Sequence, residues 1–326
     1  MPPAAYNAHL VVPTNRPENI KRFLDAWVGC GNCWSGIHVV YDMEGLKPEL
    51  FPPKKIFDTP IHCYSWADIP PAGPFSRKDS AVRSFGYLQA YNAGAEYVVT
   101  LDDDCMPLTA PFTFMYQHLT NLCGTPRWES SIPGEHVRGV PYVNKGLMKC
   151  DVSMGLWTEV ADLSSPVQLA RRLEKRTLEL PLPKGTRVMP SHQFAPMCGM
   201  NLAFTRRAVP LMLCAPMGAG QPYARFDDIW CGLLAQRVMA HLGWSWTVGE
   251  PHVKHERASD AIKNLVKEAP GIEANERYWE VIADLNFFKA ETPLDALREA
   301  GKQLVDQKDE YLKHWGRSLA RWCDLF

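Results

Sequence analysis

Residues 95–101 form an apolar run, Ala95, Glu96, Tyr97, Val98, Val99, Thr100 and Leu101, that passes directly into Asp102, Asp103 and Asp104. A buried strand ending in three adjacent carboxylates restricts the fold more than any other feature of the chain. The strand must lie inside a sheet. The carboxylates repel one another and need water or a cation, so they must leave the sheet at its rim.

The preceding residues supply the rest of that sheet. Residues 9–13 read as a short buried strand, and Thr14, Asn15, Arg16 and Pro17 as a turn with helix-capping chemistry. Ile20, Phe23, Leu24 and Trp27 recur at helical spacing. Residues 37–42 form a second strand closed by Asp42, and residues 61–65 a third. Residues 78–93 read as a helix with Ala81, Phe85, Leu88 and Ala90 on one face. Strands alternating with helices predict a parallel α/β sheet. Such sheets bind ligands beyond the carboxyl ends of their strands. Pro13, Thr14, Asp42 and Asp102 to Asp104 all fall there.

Residues 125–196 are less regular, with many Pro, Gly and charged residues. Within them Arg171, Arg172, Lys175, Arg176, Lys184 and Arg187 make 170–187 basic. Residues 197–204 read as a strand, a helix starts near Arg206, and 227–242 is helical. Gly249, Glu250 and Pro251 read as a loop, and 260–326 as mostly helical and amphipathic. The simplest division is a catalytic domain over 1–260 and a helical C-terminal extension over 261–326.

Composition narrows the class. The 326 residues are 46% hydrophobic and 22% charged, which suits a globular chain and not a disordered one, a collagen or a coiled coil. A formal net charge of −1 gives no global field for nucleic acid or anionic lipid, though a local basic groove stays open. No window approaches the roughly 18 consecutive apolar residues that span a bilayer, and the N-terminus lacks a secretory pattern. The ten cysteines are scattered, so reduced thiols and a cytoplasmic location are expected. Cys30 and Cys33 have the CxxC spacing without a second pair or a thioredoxin-like context, and read as packing or loop residues.

Three groups of residues carry chemistry. Hard divalent ions such as Mn2+ or Mg2+ take oxygen ligands of the kind Asp102 and Asp104 present, while a solvated acidic turn is the plain alternative. Asp227 and Asp228 start a helix, where a carboxylate can serve as a cap or can deprotonate a hydroxyl. His252 or His255 could complete an oxygen-rich metal site. Arg16, Arg77, Lys78 and Arg83 are cations near the ligand edge that suit phosphates or ordinary surface pairs.

The run of residues 76–87, Ser-Arg-Lys-Asp-Ser-Ala-Val-Arg-Ser-Phe-Gly-Tyr, resembles a signature of the reversibly glycosylated polypeptide family, also called the UDP-arabinopyranose mutase family and glycosyltransferase family 75. The first strand and turn ending at Arg16 and the run 101–105 resemble its motifs too, as do those at 137–139, 155–157, 183–186, 196–204, 217–222, 225–230 and 255–259. The motifs cover roughly 9–265 and say little about the last residues. The resemblance implies a GT-A fold, a Rossmann-like, mixed, mainly parallel sheet flanked by helices that binds a UDP-sugar with Mn2+ or Mg2+. It implies that Asp102, Asp103 and Asp104 form the metal and sugar-nucleotide site, with His255 as a further ligand. Pro13, Thr14, Arg16 and Asp42 would lie at the uridine, and Lys78, Asp79 and Arg83 at the diphosphate and ribose. Asp227 and Asp228 would face the sugar or acceptor. Family members can assemble as homo-oligomers.

Two departures stand out. Plant members carry a reversibly glycosylated arginine seven residues before the arginine of the Val-Arg-Gly motif. That second arginine is Arg138 here, and Ser131 occupies the earlier position, with Arg127 the nearest upstream arginine. Residues 187–194 form an apparent insertion, expected to reshape the acceptor side. With that arginine missing, the sequence favours a metal-dependent glycosyltransferase that moves a sugar from a UDP-sugar to a hydroxyl acceptor. Asp228 or Asp227 would be the base, with Arg138 a further catalytic candidate. The acceptor would be a glycan, a small molecule or, given the basic 170–187 segment, hydroxymethylated DNA. A UDP-arabinopyranose mutase is the alternative, and a non-catalytic partner subunit is a third reading.

Overall fold

A computed structural model describes residues 6–28, 33–46, 48–128, 130–132, 135–159, 161–256 and 260–326. Cys30 of the CxxC pair, and Ala258 and Ser259 of the histidine motif, lie outside the described residues.

The first half follows the strand–helix alternation. β1 (Ala8–Thr14) and β2 (Gly36–Tyr41) are buried along their whole lengths, and between them α1 (Pro17–Val28) buries Ile20, Phe23, Leu24 and Trp27. Strands covered on both faces read as unbroken apolar runs, which is why both are visible in the sequence. β3 (Lys55–Ile56) and β4 (Thr59–Tyr64) form a hairpin at the sheet edge. The helix expected from residue 78 begins later. Lys78 has φ +65°, Asp79 is an N-cap, a 3-10 turn spans Ser80–Val82, and α2 (Arg83–Asn92) follows. β5 (Tyr97–Leu101) then runs to the acidic triplet, and β6 (Cys105–Pro107) leaves it.

The stretch 125–196 is more ordered than its composition suggests. After α3 (Pro111–Cys123), β7 (Thr125–Pro126) pairs with β8 (Leu147–Met148), and β9 (Val152–Glu159) enters the main sheet. α4 (Ser165–Leu173) and β10 (Thr186–Val188) complete it. β11 (Asn201–Thr205) is followed by a 3-10 helix over Arg206–Leu211, then α5 (Asp227–His241). β12 (Trp246–His255) runs through Gly249, Glu250 and Pro251, the residues read as a loop. Its ladder to β9 stays parallel but shifts register between Gly249 and His252. The chain ends with α6 (Ala261–Ala283), α7 (Pro293–Val305) and α8 (Glu310–Cys323).

The main sheet has the order β10-β12-β9-β11-β5-β1-β2-β4-β3, with β6 paired to β12. β5, β1, β2 and β4 are parallel, β11 is antiparallel at the centre, and β9 and β12 are parallel to each other. The mixed α/β architecture, with helices packed on the sheet, is the one expected. The insertion at 187–194 sits at β10 and the turn after it, where Val188 pairs with Thr247. That is the starting end of β12, opposite the end that carries His255. There Val188, Met189 and Pro190 line a cavity of about 230 Å3 with Met239, Trp244 and Trp246. No described helix is long and apolar enough to cross a membrane, and the described cysteines are free thiols.

Candidate functional site

The carboxyl ends of β1, β2 and β5 gather Thr14, Asp42 and the acidic triplet. Two arginines meet the triplet's charge. Asp103 Oδ2 accepts from Thr14 Oγ1 at 2.5 Å and from Arg16 Nε at 3.2 Å, and Arg16 also pairs with Asp103 Oδ1. The same guanidinium reaches Asp104 Oδ2 at 3.1 Å. Burial holds the Asp103 carboxyl above its ordinary range even with Arg16 beside it. Pro13 is buried within β1 opposite Val40.

Asp102 faces the other way, to Arg83. Arg83 is 2% exposed and each of its three side-chain nitrogens donates once: to Ser80 O at 3.1 Å, Gly199 O at 2.5 Å and Asp102 Oδ1 at 2.7 Å. Burial opposes the charge, but Asp102 and its acidic neighbours outweigh it and hold the guanidinium protonated. A Cβ on Gly199 would stand 2.1 Å from Arg83 Nη1, so only glycine lets the arginine pass. Sequence reading passed over Gly199, although it lies inside the 196–204 motif.

A second acidic cluster sits beyond Arg83. Asp227 and Asp228 open α5, yet neither is its N-cap. Phe226 is the N-cap residue and makes no side-chain cap bond, while Asp228 Oδ1 accepts from the Ile229 N–H at 2.9 Å within the first turn. Asp227 Oδ2 accepts from Ser80 Oγ at 2.7 Å, and Asp228 Oδ2 from the Gly199 N–H at 2.9 Å. Asp79 accepts from Ala81 N–H and Ser76 Oγ through Oδ1, while its buried Oδ2 has no partner. Burial, then the charge of Asp227, pushes Asp79 up to about 8 and Asp228 up to about 7. Asp227 is raised as well, by burial. The cluster therefore holds protons near neutral pH, which suits exchange with a substrate hydroxyl.

Asp42 borders the second cluster, where its charge helps raise Asp79 and the Asp79 N–H donates to it. Its Oδ1 accepts from Trp66 Nε1 at 2.8 Å and from the Lys78 N–H at 2.9 Å, and Arg77 stacks over Trp66 at 5.2 Å. Trp66 was not foreseen as part of this corner. Burial raises the Asp42 carboxyl despite these donors. The positive φ of Lys78 aims its N–H at Asp42, and Gly218 makes room beside it. A Gly218 Cβ would stand 2.8 Å from Asp79 Oδ2, and its φ is +75°.

Of the two histidines, His255 reaches the acidic rim. β12 pairs His255 with Cys105, which sets its Nε2 4.0 Å from Asp104 Oδ1. His252 points elsewhere, with a buried Nε2. Among the described residues no group of three or more His, Cys, Asp or Glu forms a metal cage. The Asp104–His255 pair still fits Mn2+ or Mg2+, which use one or two protein ligands and complete their shells with phosphates and water. Arg138 and Ser131 are exposed in the loop between β7 and β8, and Arg127 Nε donates to Leu147 O there at 3.0 Å.

The sequence model of a family described as reversibly glycosylated polypeptide matches residues 7–326. The chain belongs to the reversibly glycosylated polypeptide family. The matched span runs past residue 265, where the motifs thin out, and takes in all three C-terminal helices. Among curated relatives, UDP-arabinopyranose mutase 1 of Arabidopsis thaliana is 36% identical over 285 residues, covering 81% of this chain and 75% of that protein. UDP-arabinopyranose mutase 1 of Oryza sativa subsp. japonica is 31% identical over 348 residues, covering 97% and 89%. Among solved structures, glucosyl-3-phosphoglycerate synthase from Mycobacterium tuberculosis aligns with a TM-score of 0.49 and 13% identity, over 84% of this chain and 80% of that one. That likeness is too distant to carry chemistry across.

Proposed function

We propose that this member of the reversibly glycosylated polypeptide family binds a UDP-sugar at the carboxyl edge of β1, β2 and β5, as in a GT-A fold. There it interconverts the pyranose and furanose forms of a UDP-pentose. The observation that carries this reading is the extent of the likeness to proteins named UDP-arabinopyranose mutase, up to 97% of the chain.

Ring interconversion is an isomerisation. The bond from C1 to the ring oxygen breaks, C1 bonds to a different hydroxyl oxygen, and that hydroxyl's proton ends on the oxygen released. No co-reactant is consumed. The protein must take up and return a proton near neutral pH, and must hold the diphosphate still. Asp228, held at about 7, suits the first task, with Asp227 tuning it. Arg83, locked between Asp102 and Gly199, supplies a fixed cation for the second, with Arg16 at the opposite side of the triplet. Asp42, held by Trp66 and by the Lys78 N–H, would lie at the uridine, with the Lys78 side chain toward the diphosphate and ribose. Asp104 and His255, with Asp102 at the same rim, would hold Mn2+ or Mg2+, which when bound offsets diphosphate charge. Arg138 takes no step in this reading.

Incubation with UDP-arabinopyranose and Mn2+, followed by chromatography of the nucleotide sugars, tests the reading. The expected product is the furanose form, and Asp228→Asn slows its appearance by roughly a hundredfold or more. UDP release to a hydroxyl acceptor without any furanose would favour the second reading, a glycosyltransferase. Ser131, in place of the glycosylated arginine of plant members, is the observation that favours that second reading. A hydroxymethylated DNA acceptor belongs to it and rests on the basic 170–187 segment alone.

A further inference from the structure

The segment between β9 and α4 carries an acid that the sequence did not single out. β9 ends at Glu159, which pairs with His255 at the end of β12. Asp162 follows, at the centre of a tight turn in which the Leu163 N–H donates to Ala161 O at 2.8 Å. The turn is tied down on both sides. The Ala161 N–H donates to Leu178 O at 3.1 Å, and the Ser165 N–H to Glu268 Oε2 at 2.9 Å. A braced turn fixes the backbone from which its central side chain projects.

The surroundings of that side chain place it in the site. Asp162 is exposed to solvent, yet burial is the largest influence on its carboxyl and raises it. Both hold together for a group that meets water inside a cleft. The Cys198 thiol lies against the carboxyl, and Cys198 adjoins Gly199, which joins Arg83 to Asp228. The charges of Arg225, His255 and Asp102 act on Asp162, and Asp162 in turn helps raise Asp228. These partners come from the ends of β5 and β12 and from both sides of the start of α5. Asp162 therefore looks into the space between the rim of Asp102, Asp104 and His255 and the carboxyl of Asp228. Among the described residues no group of three His, Cys, Asp or Glu could share a metal, so Asp162 stands off from the Asp104–His255 pair.

With a diphosphate at the rim and a substrate hydroxyl at Asp228, the sugar ring occupies that space, so a role for Asp162 there rests on the UDP-sugar reading. A carboxylate has two oxygens and about four acceptor sites. Cys198 takes one, which leaves room for two hydroxyls on neighbouring ring carbons. Hydroxyls donate more strongly to a charged acceptor than to a neutral one. Arg225, exposed and with φ +70° just before α5, favours the charged form of Asp162. A sugar with a carboxylate of its own would meet the like charge of Asp162 and compete with it for Arg225.

We propose that Asp162 is a specificity-determining residue of this site, accepting from two adjacent hydroxyls of the nucleotide sugar and selecting a neutral pentose against a uronic acid.

Titration calorimetry with Mn2+ present tests this, using UDP, UDP-arabinopyranose and UDP-glucuronate against wild type, Asp162→Asn and Asp162→Ala. Wild type should bind UDP-arabinopyranose at least about tenfold more tightly than UDP-glucuronate. Both variants should keep at least the wild-type Tm and the wild-type affinity for UDP. They should lose roughly tenfold or more in affinity for UDP-arabinopyranose. They should also gain affinity for UDP-glucuronate, whose carboxylate can then pair with Arg225. Equal affinity of wild type and variants for UDP-arabinopyranose, with UDP binding intact, overturns the role of Asp162 and leaves the UDP-sugar reading standing. Continued rejection of UDP-glucuronate by both variants overturns that role too. So does a fall in UDP affinity as large as the fall for UDP-arabinopyranose, because Asp162 would then serve the metal or the diphosphate. Absence of UDP binding by wild type brings down the UDP-sugar reading and the role of Asp162 with it.

Discussion

Gly199 shows how closely the two acidic clusters are joined. Its carbonyl takes a bond from Arg83, its N–H gives one to Asp228, and the space its missing side chain leaves is filled by the arginine. A methyl group there must push Arg83 away from Asp102. Breaking a buried ion pair costs roughly 3 kcal/mol or more, because one charge is left without its partner. Gly199→Ala is therefore expected to lower stability by about that amount in urea unfolding and to weaken UDP binding measured by calorimetry. A variant with unchanged stability and affinity would show that Arg83 has room to spare. Asp228 makes the opposite trade. Its folded value is raised to about 7, so the native state holds this proton more tightly than the unfolded chain does. The stabilisation is complete below about pH 4 and is lost as pH rises from there to about 7. Asp228→Asn should then raise Tm above wild type by more at pH 8 than at pH 5, while turnover falls at both. Calorimetric scans at the two pH values decide this, and an equal Tm at pH 8 would mean that Asp228 ionises without strain.

The strands carry a titration of their own. His9 on β1, His38 on β2 and His62 on β4 stack at centroid distances of 5.2 and 5.1 Å, and His9 Nδ1 lies 2.9 Å from His38 Nε2. Burial, then the neighbouring imidazoles, lowers His9 to about 4 and His38 to about 3. The unfolded chain takes up these protons first, so stability is full above pH 6.5 and is lost as pH falls toward 4. His9 alone should withdraw of order 3 kcal/mol once pH is below both of its values. His38→Gln, which keeps hydrogen bonding but cannot titrate, should flatten the fall of Tm between pH 6.5 and 4, and an unchanged slope would place the acid sensitivity elsewhere. The same strands mark what the sequence makes legible. β1, β2 and β5 are covered on both faces, so their apolar runs reveal them and locate Thr14, Asp42 and the triplet. β9 was hidden because Ser153 and Gly155 interrupt its apolar character, and Asn201 and the Pro251 carbonyl fill the space beside that glycine. β12 was hidden because Gly249 and Pro251 look like a loop even where the ladder continues. Within the site, residues at strand ends were legible. Ser80, Gly199 and Trp66 were not, since their partners are distant in sequence and only the folded backbone brings them together.

At the scale of the molecule, the open question is whether residues 261–326 are an appendage or a wall of the site. The amphipathic helical pattern of 260–326 suggests a division near residue 260, and packing argues for the wall. Tyr311 on α8 lies 4.8 Å from the Tyr223 ring and 5.5 Å from that of Trp230, which sits three residues after Asp227 on α5. Tyr278 on α6 shares a 3.1 Å hydrogen bond with Tyr223 and donates to Asp309 at 2.9 Å. Trp322 Nε1 donates to Pro210 O at 2.6 Å, and its ring meets Phe75 at 5.9 Å, four residues before Asp79. The C-terminal helices thus back both the start of α5 and the loop that carries Asp79, and they belong to the same continuous apolar core as the sheet. Losing the partners of even two large aromatic side chains costs roughly 3–5 kcal/mol each. A whole domain has only about 5–15 kcal/mol in hand. Residues 1–260 alone are therefore expected to lack a cooperative urea transition and to bind no UDP-sugar. The full chain should show coincident transitions by tryptophan fluorescence and far-UV circular dichroism. A fragment that unfolds cooperatively and binds UDP with the affinity of the full chain would make the three helices an independent extension, and the first turn of α5 self-supporting.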